Sequence, residues 1–414
     1  MNVKIALLGC GTVGSGVLEL LTLQKEPLQT SMDLHFSIDN ILVRDKAHYK
    51  GAPFEKLLTT DFDELLNGKP DLLIELIGGI EPARTYILKA IEQGCHIITA
   101  NKDLLAEHGY EIFKKANEHH VSIGFEASVG GGIPIIKPLK DSLRNGGIHR
   151  IEGIVNGTCN YILTRMTESD KTYQESLSEA MASGFAESNP HSDVSGLDSA
   201  RKLCILSTLA FSKRITPKLI YTEGIEQIDY DNIQLAKSNG LKIKLVALAI
   251  HFDQKIYNAV RPCVIGPNHP FYSIDHEYNG IRLYGHSFGK IQLSGKGAGK
   301  MPTASAVFGD FLDYCHGKAD KVLSYSGDKD FSSLQINPEA TRWILQITKT
   351  PSADELGRIL QTFSDHKLSI HQNPISNGIH LEIEDFLESD LIERLSLLRE
   401  WCPQINVLPM LYLN

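Results

Sequence analysis

Residues 184–202, GFAESNPHSDVSGLDSARK, concentrate side chains that can exchange protons. Glu187, Asp193 and Asp198 lie within this stretch, and Lys202 ends it. A lysine whose pKa is tuned by its neighbours can act as a general acid, and carboxylates can hold a substrate ammonium group. The spacing therefore indicates an acid/base site for a substrate that carries an amino group.

Two other interpretations of this stretch stay open. Ser195 and Asp198 have the spacing of a capping box, and Asp198 and Lys202 would form an exposed pair worth roughly 0.2–0.5 kcal/mol on a helix. Such a solvated loop and helix start would leave the other two carboxylates unused. A metal site is the third interpretation, but His191 lacks the paired histidines or thiolates that a transition metal prefers.

A glycine-rich turn follows the apolar run VKIALL near the amino terminus. Gly9, Gly11 and Gly14 have G-x-G-x-x-G spacing, and an amphipathic helix follows them. In a dinucleotide-binding unit these glycines permit the turn, let the pyrophosphate approach, and let helix and strand pack closely. This context predicts a nucleotide cofactor, with a merely structural turn as the alternative.

The end of the second predicted strand, FSIDNILVR, bears on the choice of cofactor. Arg44 stands where an NAD-binding unit carries an acid for the ribose 2′-hydroxyl. Because an arginine can meet a 2′-phosphate, the sequence favours NADP. The adjacent Asp45 keeps NAD open, and a solvated loop arginine is the structural alternative.

Three further segments carry groups that could line a site. Lys102 follows a predicted strand, where a parallel sheet presents its ligand, although a solvated lysine would also fit. Residues 126–135 include three consecutive glycines, which either form a hinge or offer carbonyl oxygens to a hard cation. Residues 156–160, NGTCN, suit a ribose or a polar substrate, or simply begin a helix.

The elements that would position these residues alternate in type. Apolar runs and helical patterns follow one another at 3–8, 36–44, 61–67, 71–77, 81–93, 95–99, 103–119 and 121–125. Such alternation predicts an α/β Rossmann domain with a doubly wound parallel sheet. Residues 340–414 are predicted to run strand, helix, strand, strand, helix, strand, which is the ferredoxin-like order.

The composition excludes several classes of protein. With 42% hydrophobic and 22% charged residues in 414, the chain has ordinary globular proportions. It contains no run of about 18 apolar residues that would span a bilayer. A net charge of -9 gives no general attraction to nucleic acid or anionic membranes. Seven scattered cysteines without a C-x-x-C pair indicate a reducing compartment, and we expect the cytoplasm.

Seven motifs together resemble the landmarks of the homoserine dehydrogenase family. They are GCGTVG, ELIGG, TANK, GGGIPI, NGTCNYIL, GFAESNPHSDVSGLDSARK and GKGAGKMPTASAVFGD, over about residues 3–313. The resemblance implies an NAD(P)H-dependent oxidoreductase that interconverts L-homoserine and L-aspartate 4-semialdehyde, in the route to threonine, isoleucine and methionine. The expected nucleotide-binding domain covers 1–130 and a helix at about 300–315, and the α+β catalytic and dimerisation domain covers 131–299. A linker at 316–339 and an ACT-like domain at 340–414 follow.

The resemblance also implies residue roles. Lys202 would be the acid/base at the substrate oxygen, with Lys102 beside nicotinamide and substrate, and Glu187, Asp193 and Asp198 would hold homoserine. The expected cofactor-binding residues are Gly9, Gly11, Thr12, Val13, Gly14, Arg44, Lys102, Gly184 and Gly297. A structural sodium ion would be held, chiefly by main-chain oxygens, at Glu126, Val129, Gly131 and Ile133.

The chain departs from the family pattern at two places. Asn189 replaces the acid of the family's A-E-x-D-P motif, and since Asn keeps an acceptor we expect activity with one charge fewer. The tail resembles an ACT regulatory domain, whose effector here would be threonine, but Pro351-Ser352 replaces the usual Pro-Gly, so a purely dimer-forming role is the alternative. We expect a monofunctional enzyme, because no kinase domain precedes Met1, and the resemblance also implies a homo-oligomer, a dimer or tetramer.

Two functions are compatible with these features. One is the dehydrogenase, and the other is a non-catalytic NADP-binding sensor whose tail responds to an amino acid. The presence of both Lys102 and Lys202 favours the enzyme, because a sensor needs no lysines at a hydride acceptor.

Overall fold

The computed structural model of the chain describes residues 2–143, 145–318, 333–347, 351–372, 379–399 and 405–411. The chain forms two compact units. The first comprises Met1–Gly147, Cys204–Pro217 and Gly295–Asp330, and the second comprises Ile148–Leu203, Lys218–Ser294 and Phe331–Asn414. These limits differ from the predicted domain limits, and the functional division into domains stays a prediction.

Strands and helices are numbered in chain order. The strands are β1 (Asn2–Leu8), β2 (His35–Leu42), β3 (Leu58–Thr59), β4 (Leu72–Glu75), β5 (His96–Thr99), β6 (Ile123–Gly124), β7 (Ile148–Ile154), β8 (Tyr221–Thr222), β9 (Lys242–Phe252), β10 (Lys255–Ile265), β11 (Tyr278–Gly285), β12 (Gly289–Lys296), β13 (Ser333–Leu334), β14 (Thr341–Ile347), β15 (Leu368–Gln372), β16 (Ile379–Phe386) and β17 (Ile405–Leu411). The helices are α1 (Thr12–Met32), α2 (Phe62–Asn67), α3 (Ala83–Glu92), α4 (Lys102–Glu118), α5 (Ile136–Lys140), α6 (Gly157–Ser169), α7 (Tyr173–Ala182), α8 (His191–Val194), α9 (Leu197–Phe211), α10 (Tyr230–Ser238), α11 (Lys300–Cys315), α12 (Ala353–Thr362) and α13 (Glu388–Arg399).

The first unit is built on a parallel sheet of six strands. Their order is β3-β2-β1-β4-β5-β6, and every neighbouring pair is parallel. The central strand β4 is buried along its whole length, as a sheet covered by helices on both faces requires. The predicted doubly wound Rossmann sheet is confirmed.

Helix α11, distant in sequence, packs against α1 in this unit. A Cβ at Gly16 of α1 would lie 3.0 Å from the Cβ of Ala304, so a larger side chain would push the helices apart. Val307 and Phe311 of α11 join the core formed by the sheet and α1. The close contact of these helices therefore depends on a glycine outside the nucleotide-binding motif.

The second unit is built on a mixed sheet. Its strand order is β12-β11-β7-β9-β10-β17-β14-β16-β15, and β8 and β13 also pair with β10. Long antiparallel pairing joins β7, β9 and β10, and α6 packs on β9 and β11. This α+β architecture is the one expected for the catalytic part of the chain.

The tail of the chain extends the same sheet. Its elements follow the predicted order, and the strand order β17-β14-β16-β15 is that of a ferredoxin-like unit. Val264 and Ile265 of β10 pair in parallel with Met410 and Leu411 of β17. Ser333–Leu334, inside the predicted linker, form β13, whereas residues 319–332 and the predicted strand end at 412–414 lie outside the described residues.

Ion pairs join the tail, and the segment just before it, to β10 and β7 of this sheet. Arg261 of β10 donates to Glu388 of α13 at 2.6 Å, and the second oxygen of Glu388 accepts the N–H of Asn337 at 2.7 Å. The Arg261 guanidinium also lies over the ring of Trp343, 5.5 Å from its centre. The carboxylate of Glu339 pairs with Arg150 on β7. The tail and the segment before it thus contact β10 and β7 through charge as well as through main-chain pairing.

No helix in the described parts of the chain combines the length and the apolar character that spanning a membrane requires.

Candidate active site

The turn after β1 has the geometry of a nucleotide-binding turn. Gly9 has φ +95°, a region open to glycine, and a Cβ at Gly14 would lie 2.4 Å from the carbonyl oxygen of Gly9. A Cβ at Gly11 would meet no atom within 4 Å, so the space above this residue is open. Thr12 and Val13 begin α1, whose first N–H groups have no acceptor inside the helix. The turn can therefore receive a pyrophosphate group.

Arg44 and Asp45 have different surroundings. Arg44 is exposed just beyond β2. The Asp45 carboxylate accepts the N–H of Ala47 at 2.8 Å and caps a short 3-10 helix. The acid that kept NAD open is therefore engaged in a local cap, while the arginine side chain reaches solvent.

The carboxyl ends of β4 and β5 are tied together by Glu75, which the sequence reasoning did not single out. This wholly buried carboxylate accepts the N–H groups of Ile77 and Gly78 at 2.9 and 3.2 Å and the hydroxyl of Thr99 at 2.5 Å. Burial, the largest effect, raises the pKa of Glu75. Lys102 begins α4 three residues after Thr99, so Glu75 orders the loop beside the predicted site lysine.

The second unit brings Lys202 and Asp198 together as a buried pair. Lys202 Nζ lies 2.7 Å from Asp198 Oδ2, and it donates to the carbonyl oxygen of Val155 at 2.7 Å. The side chains are only 12% and 6% exposed, respectively. The expectation of an exposed helical pair is wrong, because Val155, at the end of β7, encloses the ammonium from a distant part of the sequence.

Asn156 connects this pair to Asp193. The Asn156 amide donates to Asp193 Oδ1 at 2.7 Å and to Asp198 Oδ2 at 2.8 Å. Its own Oδ1 accepts the N–H of Cys159 at 2.8 Å and caps α6. Burial, aided by Asp193 and Asp198, raises the pKa of the Cys159 thiol well above its ordinary value, so this cysteine is a poor nucleophile.

Ser195 and Asp198, both described by the structure, do not form the predicted capping box. Helix α9 begins at Leu197, and Ser195 instead ends α8, with its hydroxyl donating to the carbonyl of His191 at 2.6 Å. Gly196 has φ +83°, and this left-handed conformation separates α8 from α9. Asp198 therefore lies in the first turn of α9, with its carboxylate directed to Asn156 and Lys202.

Glu187 lies apart from this cluster. It is exposed on the loop after α7 and forms no hydrogen bond or ion pair with any residue that the structure describes. Gly184, with φ +76°, turns the chain into this loop, and Thr158 donates to the carbonyl of Phe185 at 2.7 Å. Asn189 accepts the N–H of His191 at 3.4 Å, which an aspartate could do equally well.

The turn formed by residues 130–132, three consecutive glycines in the first unit, packs on the segment that contains Gly297. Gly131 has φ +53°, and a Cβ there would lie 2.5 Å from the carbonyl oxygen of Gly297. Both oxygens of the Glu126 carboxylate accept N–H groups at the start of α5, from residues 135, 136 and 137 at 2.7, 2.8 and 2.7 Å. Val129 and Ile133 lie buried in the same turn. The Glu126 side chain thus anchors a helix.

The predicted site residues fall into both units. Asp193, Asp198 and Lys202 form one cluster in the second unit, which also contains Gly184 and Glu187, and the remaining predicted residues lie in the first unit. Within the described residues, no group of three or more His, Cys, Asp or Glu side chains could hold a metal ion. The sequence indicated Asn156 as a polar group for a ribose or substrate or as a helix cap, but not as a partner of the two aspartates; Val155 acts through its carbonyl, which no side-chain pattern reveals.

Known proteins match the chain along most of its length. The family models "Homoserine dehydrogenase, NAD binding domain" and "Homoserine dehydrogenase" match residues 9–126 and 134–312. A homoserine dehydrogenase of Synechocystis sp. is 42% identical over 386 residues, which cover 89% of this chain and 88% of that protein.

Solved structures agree with these matches. The crystal structure of a homoserine dehydrogenase from Thiobacillus denitrificans has a TM-score of 0.90 and 30% identity, and the match covers 100% of this chain and 99% of that one. A hyperthermophilic archaeal homoserine dehydrogenase in complex with NADPH has a TM-score of 0.67 and 25% identity, and covers 78% of this chain and 100% of its own. A non-catalytic sensor is not favoured by such relatives. The chain belongs to the homoserine dehydrogenase family and is an NAD(P)-dependent oxidoreductase.

Proposed function

We propose that the chain interconverts L-homoserine and L-aspartate 4-semialdehyde, with Lys202 as the acid/base. The observation that carries this proposal is the buried pair of Lys202 and Asp198 in a member of this family. When bound, the nicotinamide supplies or accepts the hydride. The side chains of the protein bind and orient the substrate and move its proton.

Lys202 is held in a position suited to proton transfer. An ammonium group has three N–H donors, and the contacts with Val155 and Asp198 use two of them, which leaves one for a substrate oxygen. During reduction of the aldehyde, protonated Lys202 stabilises the developing alkoxide and donates its proton to it. During oxidation of the alcohol, neutral Lys202 accepts the hydroxyl proton.

The carboxylates of the second unit would bind the substrate's ammonium group. Asp198 pairs with Lys202, and Asn156 joins Asp193 to this pair, so these three charged side chains together carry one net negative charge, which a substrate ammonium would neutralise. Glu187, exposed on its loop, would add a further carboxylate on the solvent side. Lys102, in the first unit, would assist the proton transfer.

The proposed cofactor is NADP, with NAD as a possible second cofactor. An exposed Arg44 beside Asp45, whose carboxylate caps a 3-10 helix, supports recognition of a 2′-phosphate, and the archaeal relative is a complex with NADPH. The residues that would line the cofactor are Gly9, Gly11, Thr12, Val13, Gly14, Arg44, Lys102, Gly184 and Gly297.

The proposed structural sodium ion would take main-chain oxygens of Glu126, Val129, Gly131 and Ile133. A turn that contains two glycines with positive φ supports this, because carbonyl oxygens are ligands that hard cations accept. The Glu126 carboxylate already accepts three N–H groups, so its contribution would come from its carbonyl oxygen.

The tail is proposed to be an ACT-like regulatory domain that responds to threonine, with dimer formation as its alternative role. Ser352, which replaces the usual glycine, caps α12 in a reciprocal capping box with Glu355. The enzyme would act in the cytoplasm as a homodimer or tetramer, in the synthesis of threonine, isoleucine and methionine.

Homoserine-dependent reduction of NADP and NAD, measured in parallel with and without threonine, tests this proposal. We expect faster reduction of NADP, and a threonine effect would support the role of the tail. Lys202→Ala should lose most turnover while NADPH still binds, and Lys255→Ala, an exposed lysine of the same unit, should behave like wild type. Reduction of neither cofactor would reject the function, and near-normal turnover of Lys202→Ala would reject the role of Lys202.

A further inference from the structure

We propose that Asn156 is a positioning residue for the proton transfer. Its side-chain amide sets the spacing of Asp193 and Asp198 and, through Asp198, the position of the carboxylate that pairs with Lys202. This inference rests on the proposed acid/base role of Lys202.

The hydrogen bonds of Asn156 determine the orientation of its amide. The nitrogen has two N–H donors, and the two aspartates accept them at 2.7 and 2.8 Å. The amide oxygen accepts the N–H of Cys159 at 2.8 Å. A flipped amide would direct its oxygen at two carboxylates and its nitrogen at an N–H group, so only one orientation satisfies all partners.

The amide brings two like charges close together without adding a charge. Asp193 and Asp198 accept from the same nitrogen, and Asp198 Oδ2 also contacts Lys202. Two neighbouring carboxylates repel each other, and each raises the affinity of a nearby lysine for its proton. A neutral donor between them offsets part of this repulsion and holds the two carboxylates in place without adding a charge beside the lysine.

Helix capping alone does not explain why residue 156 is an asparagine. Asn and Asp are about equally good at the N-cap, because both offer an oxygen to the first turn. An aspartate here would still cap α6, but it would place a third carboxylate against Asp193 and Asp198. The donors, which only the amide has, are therefore what the cluster requires.

The charged groups around the amide come from several elements. Asp193 lies on α8, Asp198 and Lys202 lie on α9, and the buried Cys159 thiol lies on α6. Glu226, in the segment before α10, adds a more distant negative charge that acts on Cys159. Arg201 of α9, which donates to the Ser192 hydroxyl of α8 at 3.1 Å, is a second cation at these helices, but Lys202 is the one in contact with Asp198, which accepts a hydrogen bond from the amide.

Two substitutions separate the cap from the donors. Asn156→Asp keeps the cap and adds a negative charge, so the alkaline rise of homoserine oxidation should move up by about one pH unit or more. Asn156→Ser keeps a capping oxygen and replaces the two N–H donors by one O–H on a shorter side chain, which cannot donate to both aspartates, so kcat/KM should fall by roughly 10- to 100-fold as the carboxylates lose their positions. Thr172→Ala, which removes the cap of α7 on the same unit, is the matched control.

The control should lower the melting temperature slightly and leave kcat, KM and the pH profile unchanged. A merely structural role for Asn156 would give the same pattern in all three variants, and that result would overturn the proposal. An unmoved pH profile in Asn156→Asp together with near-normal kcat/KM in Asn156→Ser would also overturn it. Loss of activity in Lys202→Ala, measured alongside, shows that such a failure concerns Asn156; an active Lys202→Ala enzyme would instead reject the proposed function.

Discussion

Removal of the Glu388 carboxylate should destabilise the second unit by several kcal/mol. Glu388→Ala takes away the partner of Arg261 at 2.6 Å and the acceptor of the Asn337 N–H at 2.7 Å. The Arg261 and Glu388 side chains are only 14% and 9% exposed. Burial alone would lower the pKa of Arg261, but Glu388 holds it above its ordinary value, so the guanidinium keeps its charge.

The magnitude follows from what the substitution leaves behind. A buried charge without its partner costs about 3–5 kcal/mol, and an unpaired buried N–H group adds about 1–3 kcal/mol. Water that enters at the partly exposed guanidinium and the remaining ion pair of Arg261 with Glu223 at 3.7 Å both reduce this sum, so we expect a loss of about 3–5 kcal/mol in the free energy of unfolding. Glu388→Gln keeps one acceptor oxygen for two donors and places an NH2 group against the other donor, so its loss should be smaller than that of Glu388→Ala but of the same order.

Urea unfolding followed by circular dichroism measures these losses, and hydrogen exchange at the amides of β17 shows where the structure opens. Asp365→Ala is the matched control, because it breaks a pair with Arg394 at the surface of the same tail, where solvent screens the interaction. If Glu388→Ala were no more destabilising than Asp365→Ala, the buried pair would not hold the tail to β10, and the reasoning would be refuted.

Three further outcomes can be checked. Gly14→Ala should abolish NADP binding, because its Cβ would lie 2.4 Å from a carbonyl oxygen of the turn; normal binding by calorimetry would contradict this. Burial alone would raise the pKa of Glu152, but His269 and Arg150 lower it from 4.5 to about 2. The ionised Glu152 therefore contributes about 3 kcal/mol of stability, which is fully present above pH 4.5 and should be lost as the pH falls towards 2. Glu152→Gln should flatten this acid limb of urea stability, and an unchanged limb would refute the assignment. Arg44→Ser should raise KM for NADP about tenfold or more and leave KM for NAD unchanged; an unchanged ratio of the two would exclude a 2′-phosphate contact.

Local features of the fold were predictable from the sequence. The spacing of Gly9, Gly11 and Gly14 predicts a strand, a tight turn and a helix, and β1 and α1 follow it. Alternating apolar runs likewise predict the parallel sheet. These predictions succeed because the interactions that decide them lie within a few residues or within one repeating unit of structure.

The details of the candidate site depend on contacts that are distant in sequence. Asn156 lies 37 and 42 residues from the two aspartates that it joins, and nothing in the spacing of 184–202 indicates this. Asp198 and Lys202 were placed correctly on one helix face, but their burial comes from Val155 at the end of β7. The predicted capping box does not form because Gly196, with φ +83°, separates the short helix α8 from the longer α9, whereas the sequence pattern predicts a single helix start at Ser195.

The outer edge of β10 has a consequence for any shortened form of the chain. Three short parallel neighbours share that edge, namely β13, β8 and β17, and the last of them covers Val264 and Ile265. Removal of the tail would expose an apolar strand edge, with unpaired N–H and C=O groups that favour association with other chains. A truncated protein should therefore self-associate and aggregate, so its activity would say little about what the tail does in the intact enzyme.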